Sequence, residues 1–118
     1  MDLRKKYKEL QDAVNKAVVE FNKFATSTLI EKIGNGQTID LTTEENEDAL
    51  GGVVMSIGAN PYDEDYSNDI LNTIYVEDNR LYFKTENYTY SSDEITQSEL
   101  ELAFEFVMRI KGYDFIEL

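Results

Sequence analysis

The segment SELELAFEFVMRIK, residues Ser98–Lys111, is the most apolar helix-forming stretch of the chain. At about 100° per residue, its apolar side chains cover roughly 200° of the helix circumference, about twice the width of the stripe on an ordinary surface helix. Ser98 and Glu101 form a capping-box pattern that predicts the helix start, and Gly112 predicts its end. A helix this apolar has to be covered on two sides. We expect a sheet on one side, and a second helix or a second subunit on the other.

Residues 2–33 predict a long amphipathic helix. At about 1.5 Å per residue it would be about 45 Å long, longer than the roughly 35 Å expected for a compact domain of this size. It must therefore overhang or break, and we expect a break or kink near Ala25–Thr28, where three hydroxyl side chains compete for backbone hydrogen bonds. This helix or the C-terminal one could also form a homodimer contact. Alternating spacings of four and three residues, typical of one apolar face, connect Leu3, Tyr7, Leu10, Val14, Ala17, Phe21 and Phe24.

One hairpin organises the predicted strands. A two-residue turn at Asp78-Asn79 places Tyr75 opposite Tyr82 on one face of the sheet and apolar pairs on the other. A slip of one residue would mix polar and apolar side chains on both faces, so the sequence favours this register. A second turn at Glu86-Asn87 adds a third antiparallel strand. The apolar face then carries Ile74, Val76, Leu81, Phe83 and Tyr90.

Two further strands and a short helix are predicted before the hairpin. Residues 37–42 alternate polar and apolar side chains, and residues 52–57 include two valines, a methionine and an isoleucine, so both predict strands. Residues 43–50 predict either two helical turns capped by Thr43 or an acidic loop. The pattern predicts one α+β domain over residues 1–118. It would have a long N-terminal helix, an antiparallel sheet of about four to five strands with a C-terminal meander, and a C-terminal helix packed on one sheet face.

The net charge of −13 is distributed unevenly along the chain. Residues 1–32 carry seven basic and five acidic side chains, residues 33–79 carry eleven acidic and no basic ones, and residues 80–118 carry four basic and eight acidic ones. Direct binding to nucleic acid or to an anionic membrane is not expected, because phosphate contacts need Lys and Arg.

No apolar run approaches the roughly 18 residues of a membrane span. No secretion signal is visible, so we expect a cytoplasmic protein.

No catalytic constellation is visible. The chain has neither His nor Cys, which removes the commonest general base, the commonest transition-metal ligand and thiolate chemistry. It also has no P-loop, dinucleotide-binding or nucleophile-elbow motif. Two carboxylates could serve a hydrolase, but among 24 acidic residues some pair will always have a suitable separation. We therefore expect a non-catalytic protein without a cofactor, and the alternative is a carboxylate-dependent hydrolase.

A calcium-binding loop over residues 63–74 is a second alternative. Its sixth position is normally Gly but here is Asn68, and its twelfth is normally a bidentate Glu but here is Ile74. Because these two defining positions fail, a solvated acidic loop fits this segment better than a calcium site. The side chains that do match positions one, three, five and seven are Asp63, Asp65, Ser67 and Asp69.

The acidic middle of the chain is the strongest functional signal. Carboxylates interleaved with tyrosines, without Lys or Arg, project a negative potential that can steer onto a basic protein partner. In charge and size alone, the chain resembles small acidic proteins that inhibit nucleic-acid-binding enzymes by mimicking DNA. We expect a protein-interaction module, and the more specific hypothesis is that it mimics nucleic acid. The alternative is that the negative charge serves only solubility. The candidate partner-binding residues are Asp40, Glu44, Glu45, Glu47, Asp48, Tyr62, Asp63, Glu64, Asp65, Tyr66 and Asp69.

Overall fold

A computed structural model describes residues 2–58 and 69–112 of the chain. The predicted α+β class is confirmed, with a long N-terminal helix, an antiparallel sheet of five strands and a C-terminal helix. Residues 59–68, which include the proline, and residues 113–118 lie outside the described residues. The elements in chain order are α1 (Leu3–Ile33), β1 (Thr38–Asp40), α2 (Glu44–Ala49), β2 (Ser56–Ile57), β3 (Asp69–Glu77), β4 (Arg80–Thr85), β5 (Thr89–Ser91) and α3 (Gln97–Ile110).

Strand β3 is the centre of the sheet. Strand β4 lies along one of its edges and β1 along the other, and β2 also pairs with β3. β1 pairs with residues 73–75 of β3, and β2 pairs with residues 69–70. β5 continues the sheet beyond β4, which completes the meander. All of these pairs are antiparallel, so short local turns can connect the three strands of the meander.

The predicted hairpin register is confirmed. Asp78 and Asn79 have φ angles of 52° and 60°, and a two-residue hairpin turn of this type requires positive φ at both central positions. Tyr75 lies opposite Tyr82, and their rings stack with centroids 5.2 Å apart and an angle of 20° between planes. The two tyrosines are thus a cross-strand pair on the outer face of the sheet, which leaves the apolar face for the core.

One cluster of buried residues joins the inner face of the sheet to α3 and to the second half of α1. The predicted apolar face of the hairpin belongs to this cluster, with Tyr90 packed at its margin. The prediction that α3 packs on one face of the sheet is therefore confirmed, and the second helix expected to cover α3 is the second half of α1. The side chains with no exposed surface include Leu29, Ile57, Ile74, Phe83 and Val107.

Helix α3 begins earlier than predicted. Its N-cap is Thr96, whose hydroxyl accepts from the N–H of Glu99 at 3.2 Å, while the Thr96 N–H donates to the Glu99 carboxylate at 2.7 Å. The predicted box of Ser98 and Glu101 has the same sequence pattern. The difference is tertiary, because the second carboxylate oxygen of Glu99 accepts a hydrogen bond of 3.0 Å from the N–H of Gly58. A contact between distant parts of the chain thus supports the earlier start.

Helix α1 has no break near Ala25–Thr28, contrary to the prediction. The hydroxyl of Ser27 donates to the carbonyl of Lys23 one turn earlier, so this competing group is satisfied inside the helix. The 31 residues of the helix span about 46 Å, and the longest dimension of the structure is 57 Å. The helix therefore overhangs the core. The side chains that hold its second half against the core are Ala25, Leu29 and Ile33.

The strand predicted for residues 52–57 is reduced to Ser56–Ile57. Gly51 and Gly52 have φ angles of 64° and 77° and form the turn after α2, which removes the start of the predicted strand. β2 pairs only with the beginning of β3, at residues 69–70. Val53–Val54 therefore stays outside the sheet, with both side chains exposed.

Gly58 is expected to be the least tolerant of the described glycines to a side chain. A Cβ atom added there would lie 2.5 Å from the Tyr90 hydroxyl oxygen, whereas at Gly36 it would have no neighbour within 4 Å, although φ is similar (73° and 78°). We predict that Gly36→Ala lowers the free energy of unfolding by about 1 kcal/mol through backbone strain. Gly58→Ala should cost at least about 1 kcal/mol more, because the tyrosine ring must move. Urea denaturation measures both variants, and equal losses would contradict the close contact.

Candidate partner-binding surface

Helix α2 carries four carboxylates in six residues. Thr43 is its N-cap, and the Thr43 hydroxyl accepts from the N–H of Asn46 at 3.2 Å. The three glutamates of the first turn lie where the helix dipole favours negative charge. Of the two predicted forms, helix or acidic loop, the helix is therefore the one observed. It holds its carboxylates on a defined backbone at the surface.

Asp40 closes the turn between β1 and α2. Its carboxylate accepts from the hydroxyl of Thr42 at 2.5 Å and from the Thr42 N–H at 2.8 Å, and its backbone carbonyl accepts from the side-chain amide of Asn46 at 2.7 Å. The hydroxyl of Thr42, followed by its N–H, holds the pKa of the Asp40 carboxyl below the ordinary value. Asp40 therefore stays ionised in mild acid and keeps its charge beside the start of α2.

The structure brings five of the predicted binding residues together at one place. There is no Lys or Arg between residues 33 and 79 to neutralise them locally. Elsewhere in the described part of the chain, exposed carboxylates stand singly or in pairs along the sequence, on α1, on turns of the sheet and on α3. We call the group of five the α2 acidic surface; its members, all exposed, are Asp40, Glu44, Glu45, Glu47 and Asp48.

Asp69 does not belong to this surface, contrary to the prediction. Its side chain is only 8% exposed, and its carboxylate accepts a hydrogen bond from the side-chain amide of Asn87. β3 begins at Asp69, so pairing with β2 places the residue in the sheet instead of in the acidic loop. The remaining predicted binding residues lie outside the described part of the chain; they are Tyr62, Asp63, Glu64, Asp65 and Tyr66.

The calcium-loop hypothesis also falls largely on residues that the structure does not describe. Of the four matching side chains, only Asp69 is described, and it is bonded to Asn87. Among residues 2–58 and 69–112, no group of three or more acidic side chains is placed to hold a metal ion. The calcium loop therefore stays an alternative interpretation of the sequence.

An apolar pocket of about 260 Å³, which the sequence pattern did not predict, adjoins α2. Glu47 of the α2 acidic surface is one of its lining residues. Val53 and Val54 also line it, yet 51% and 64% of their surfaces are exposed. The signal in the sequence is this valine pair directly after two glycines, a pattern that also fits the inside of a strand. The other apolar lining residues include Leu50, Met55, Ile70 and Phe106.

A wider groove of about 660 Å³ lies between α1 and the segment that leads into α3. Amide and hydroxyl side chains such as those of Asn22, Thr26 and Thr96 line much of it, and the side-chain oxygen of Asn22 is buried without a hydrogen-bond partner. Asp93 is the one carboxylate among the described residues that line this groove. A glycosidase-like hydrolase needs two carboxylates across a cleft, and neither this groove nor the apolar pocket has such a pair in its described lining.

Comparison with known proteins assigns the chain to no family. No protein-family model matches it, and neither a curated protein nor a solved structure matches it. Within the described ranges, no helix combines the length and the apolar character needed to cross a bilayer. The function is therefore inferred from the charges, pockets and exposed faces of the chain itself.

We predict that Asp40 contributes to the acid sensitivity of the fold. Because its pKa is lowered in the folded protein, its stabilisation is complete above the pKa of the unfolded chain and is lost as the pH falls through the folded-state pKa. Asp40→Asn keeps an oxygen that can accept from Thr42 but does not titrate. The free energy of unfolding of wild type minus that of Asp40→Asn should therefore be constant well above the ordinary carboxyl pKa of 3.8 and should shrink as the pH falls below it.

Urea denaturation at a series of pH values measures this difference. The control is Thr42→Val, which removes the strongest donor to the Asp40 carboxylate and should reduce the same pH dependence. A difference between wild type and Asp40→Asn that stays constant over the whole range would contradict the role assigned to Asp40.

Proposed function

We propose that this chain is a non-catalytic interaction module that binds a basic protein through the α2 acidic surface. The observation that carries the proposal is the grouping of five exposed carboxylates on β1 and α2, without a basic residue between positions 33 and 79. Carboxylates that lie close together repel one another, and a partner with Lys and Arg would supply positive charges that offset this repulsion. Such complementary charges speed association and set orientation, and salt screens them.

The apolar pocket beside α2 supports a contact that goes beyond charge. Exposed ion pairs contribute only about 0–1 kcal/mol each, whereas buried anchor side chains provide most of the binding energy at protein interfaces. Val53 and Val54 leave apolar surface exposed at this pocket. We therefore infer that the partner segment carries both basic side chains, which would lie along α2, and an apolar side chain, which would enter the pocket.

The more specific form of the proposal is that the partner binds nucleic acid and that α2 occupies the same basic site. Residues 44–48 carry four carboxylates over about 6 Å of helix axis. Double-stranded DNA carries one negative charge per roughly 1.7 Å of its axis. The charge per unit length along this turn of helix is therefore similar to that of a duplex, which supports competition for one basic groove.

Affinity capture from a host lysate at low salt, followed by washes of rising salt, tests the proposal. We expect one dominant basic partner that is released within a narrow range of salt concentration, because screening weakens all of its charge contacts together. If the partner binds nucleic acid through the same site, added duplex DNA should release it at low salt. Elution spread over many proteins, with none dominant, would count against the proposal.

Two variants of equal net charge test whether binding depends on the position of the acidic side chains or only on the total charge. Each removes four acidic side chains, so each changes the net charge from −13 to −9. We predict that neutralising α2 weakens binding to the captured partner at least about tenfold, while the control changes it by less than about threefold. Equal losses would show that only total charge matters. The α2 variant combines Glu44→Gln, Glu45→Gln, Glu47→Gln and Asp48→Asn. The control combines Glu31→Gln, Glu77→Gln, Glu86→Gln and Asp93→Asn at other exposed positions.

A further inference from the structure

The first half of α1 presents an apolar face that no described element covers. Further along the helix, the same face reaches the core, where Phe21 and Phe24 contact Phe104 of α3 with ring centroids 6.5 Å and 5.8 Å apart. Phe24 is still 59% exposed. This apolar stripe of α1 thus packs against the core at its C-terminal end and is exposed to solvent at its N-terminal end. The bare side chains are Leu3 (76% exposed), Tyr7 (67%), Leu10 (56%) and Val14 (61%).

The spacing of this stripe is that of a coiled-coil seam. Leu3, Leu10 and Ala17 fall at d positions and Tyr7, Val14 and Phe21 at a positions of a heptad repeat. The residues that flank a seam set the orientation and register of a pair of helices. Here the g positions are Lys6, Ala13 and Glu20, and the e positions are Arg4, Gln11 and Val18.

We propose that α1 pairs with α1 of a second copy of the chain in antiparallel orientation, which makes the protein a homodimer. With the two-fold axis beside residues 12–13, each a residue of one helix packs against a d residue of the other. Tyr7 then meets Ala17, so that a large side chain fills the space beside a small one. At the outer ends, Leu3 of each copy packs against Phe21 of the other and covers part of the exposed aromatic surface around Phe24.

Charge complementarity across the seam supports this register. In the same alignment, Lys6 of one copy lies opposite Glu20 of the other, and the two-fold symmetry forms this pair twice. Ala13 meets its own counterpart at the axis, where a small residue lets the two backbones approach. A parallel pair would give no such match, because its g and e positions would place Lys6 against Gln11 and Glu20 against Ala25.

The distribution of charge over the whole chain also favours the antiparallel pair. Residues 2–24 hold six basic and four acidic side chains, a charge of +2, so the rest of the chain carries −15. A parallel pair would place both −15 parts at the same end, whereas the antiparallel pair separates them along the helices. It also brings the basic residues 4–8 of each copy towards the exposed Glu101 and Glu105, which flank Phe104. An anionic membrane, another surface that a basic apolar helix could bind, would repel the −15 part.

Two valines of α1 provide a matched test. Val14 lies on the seam, and Val19 lies about 140° away around the helix; both are exposed, at 61% and 52%. The mass is measured by light scattering after gel filtration at about 100 μM, a concentration at which even a weak dimer would form. The wild type should have twice the monomer mass of 13.6 kDa. Val14→Asp should be monomeric and Val19→Asp dimeric, with unchanged helical circular dichroism. A monomeric wild type, or a dimer that Val14→Asp does not weaken, would overturn the proposal.

Cysteine cross-linking tests the orientation, because the chain has no Cys of its own. Under mild oxidation, Ala13→Cys should form a disulfide-linked dimer. Leu3→Cys should not, because the two residues 3 would lie about 27 Å apart along the helix pair. Efficient cross-linking at residue 3 but not at residue 13 would indicate a parallel pair and overturn the antiparallel assignment.

Charge reversal tests the register independently. Lys6→Glu and Glu20→Lys should each raise the dissociation constant of the dimer several-fold, and the double variant should restore it, because the opposite charges face each other again. Failure of the double variant to recover would contradict this register.

Sedimentation with vesicles of phosphatidylserine and phosphatidylcholine should leave the wild type in the supernatant. Vesicle binding that Val14→Asp abolishes would instead assign the apolar face to a membrane.

Discussion

The wide apolar surface of α3 is the constraint on which the rest of the fold depends. Six of its side chains are buried, and at about 1.5–3 kcal/mol for each large one they contribute on the order of 10 kcal/mol of transfer free energy. That is comparable with the whole net stability of a typical domain, about 5–15 kcal/mol. The sheet covers α3 on one side and the second half of α1 covers it on another. Because α1 is longer than this core, its first half extends beyond it.

Two surfaces of different chemistry lie outside this core. The α2 acidic surface offers carboxylates and an adjoining apolar pocket, whereas the first half of α1 offers an apolar stripe with basic flanks. The two proposals assign them separate tasks: the acidic surface binds a partner and the stripe joins two copies. Together they would give a dimer with two acidic surfaces, and a partner with two basic sites would then bind more tightly than one surface alone allows.

Features that depend on neighbouring residues could be predicted from the sequence, whereas features that depend on distant contacts could not. The hairpin register follows from the turn at Asp78-Asn79 and the alternation around it, so it was predictable. The start of α3 involves a hydrogen bond between Gly58 and Glu99, residues 41 positions apart. The unbroken α1 depends on burial of its second half, which overrides local propensity. The burial of Asp69 and the pocket beside Val53–Val54 likewise arise only when β2 and β3 meet.

Hydrogen exchange of individual amides tests the central role of α3 most directly, at a concentration where the chain is monomeric. If the sheet, α3 and the second half of α1 form one cooperative core, amides of residues 100–108, 74–83 and 29–33 should exchange slowest and with similar free energies of opening. Amides of residues 7–14, whose side chains are exposed, should exchange at least about a hundredfold faster. Exchange in α3 as fast as in residues 7–14 would contradict a fold built around that helix.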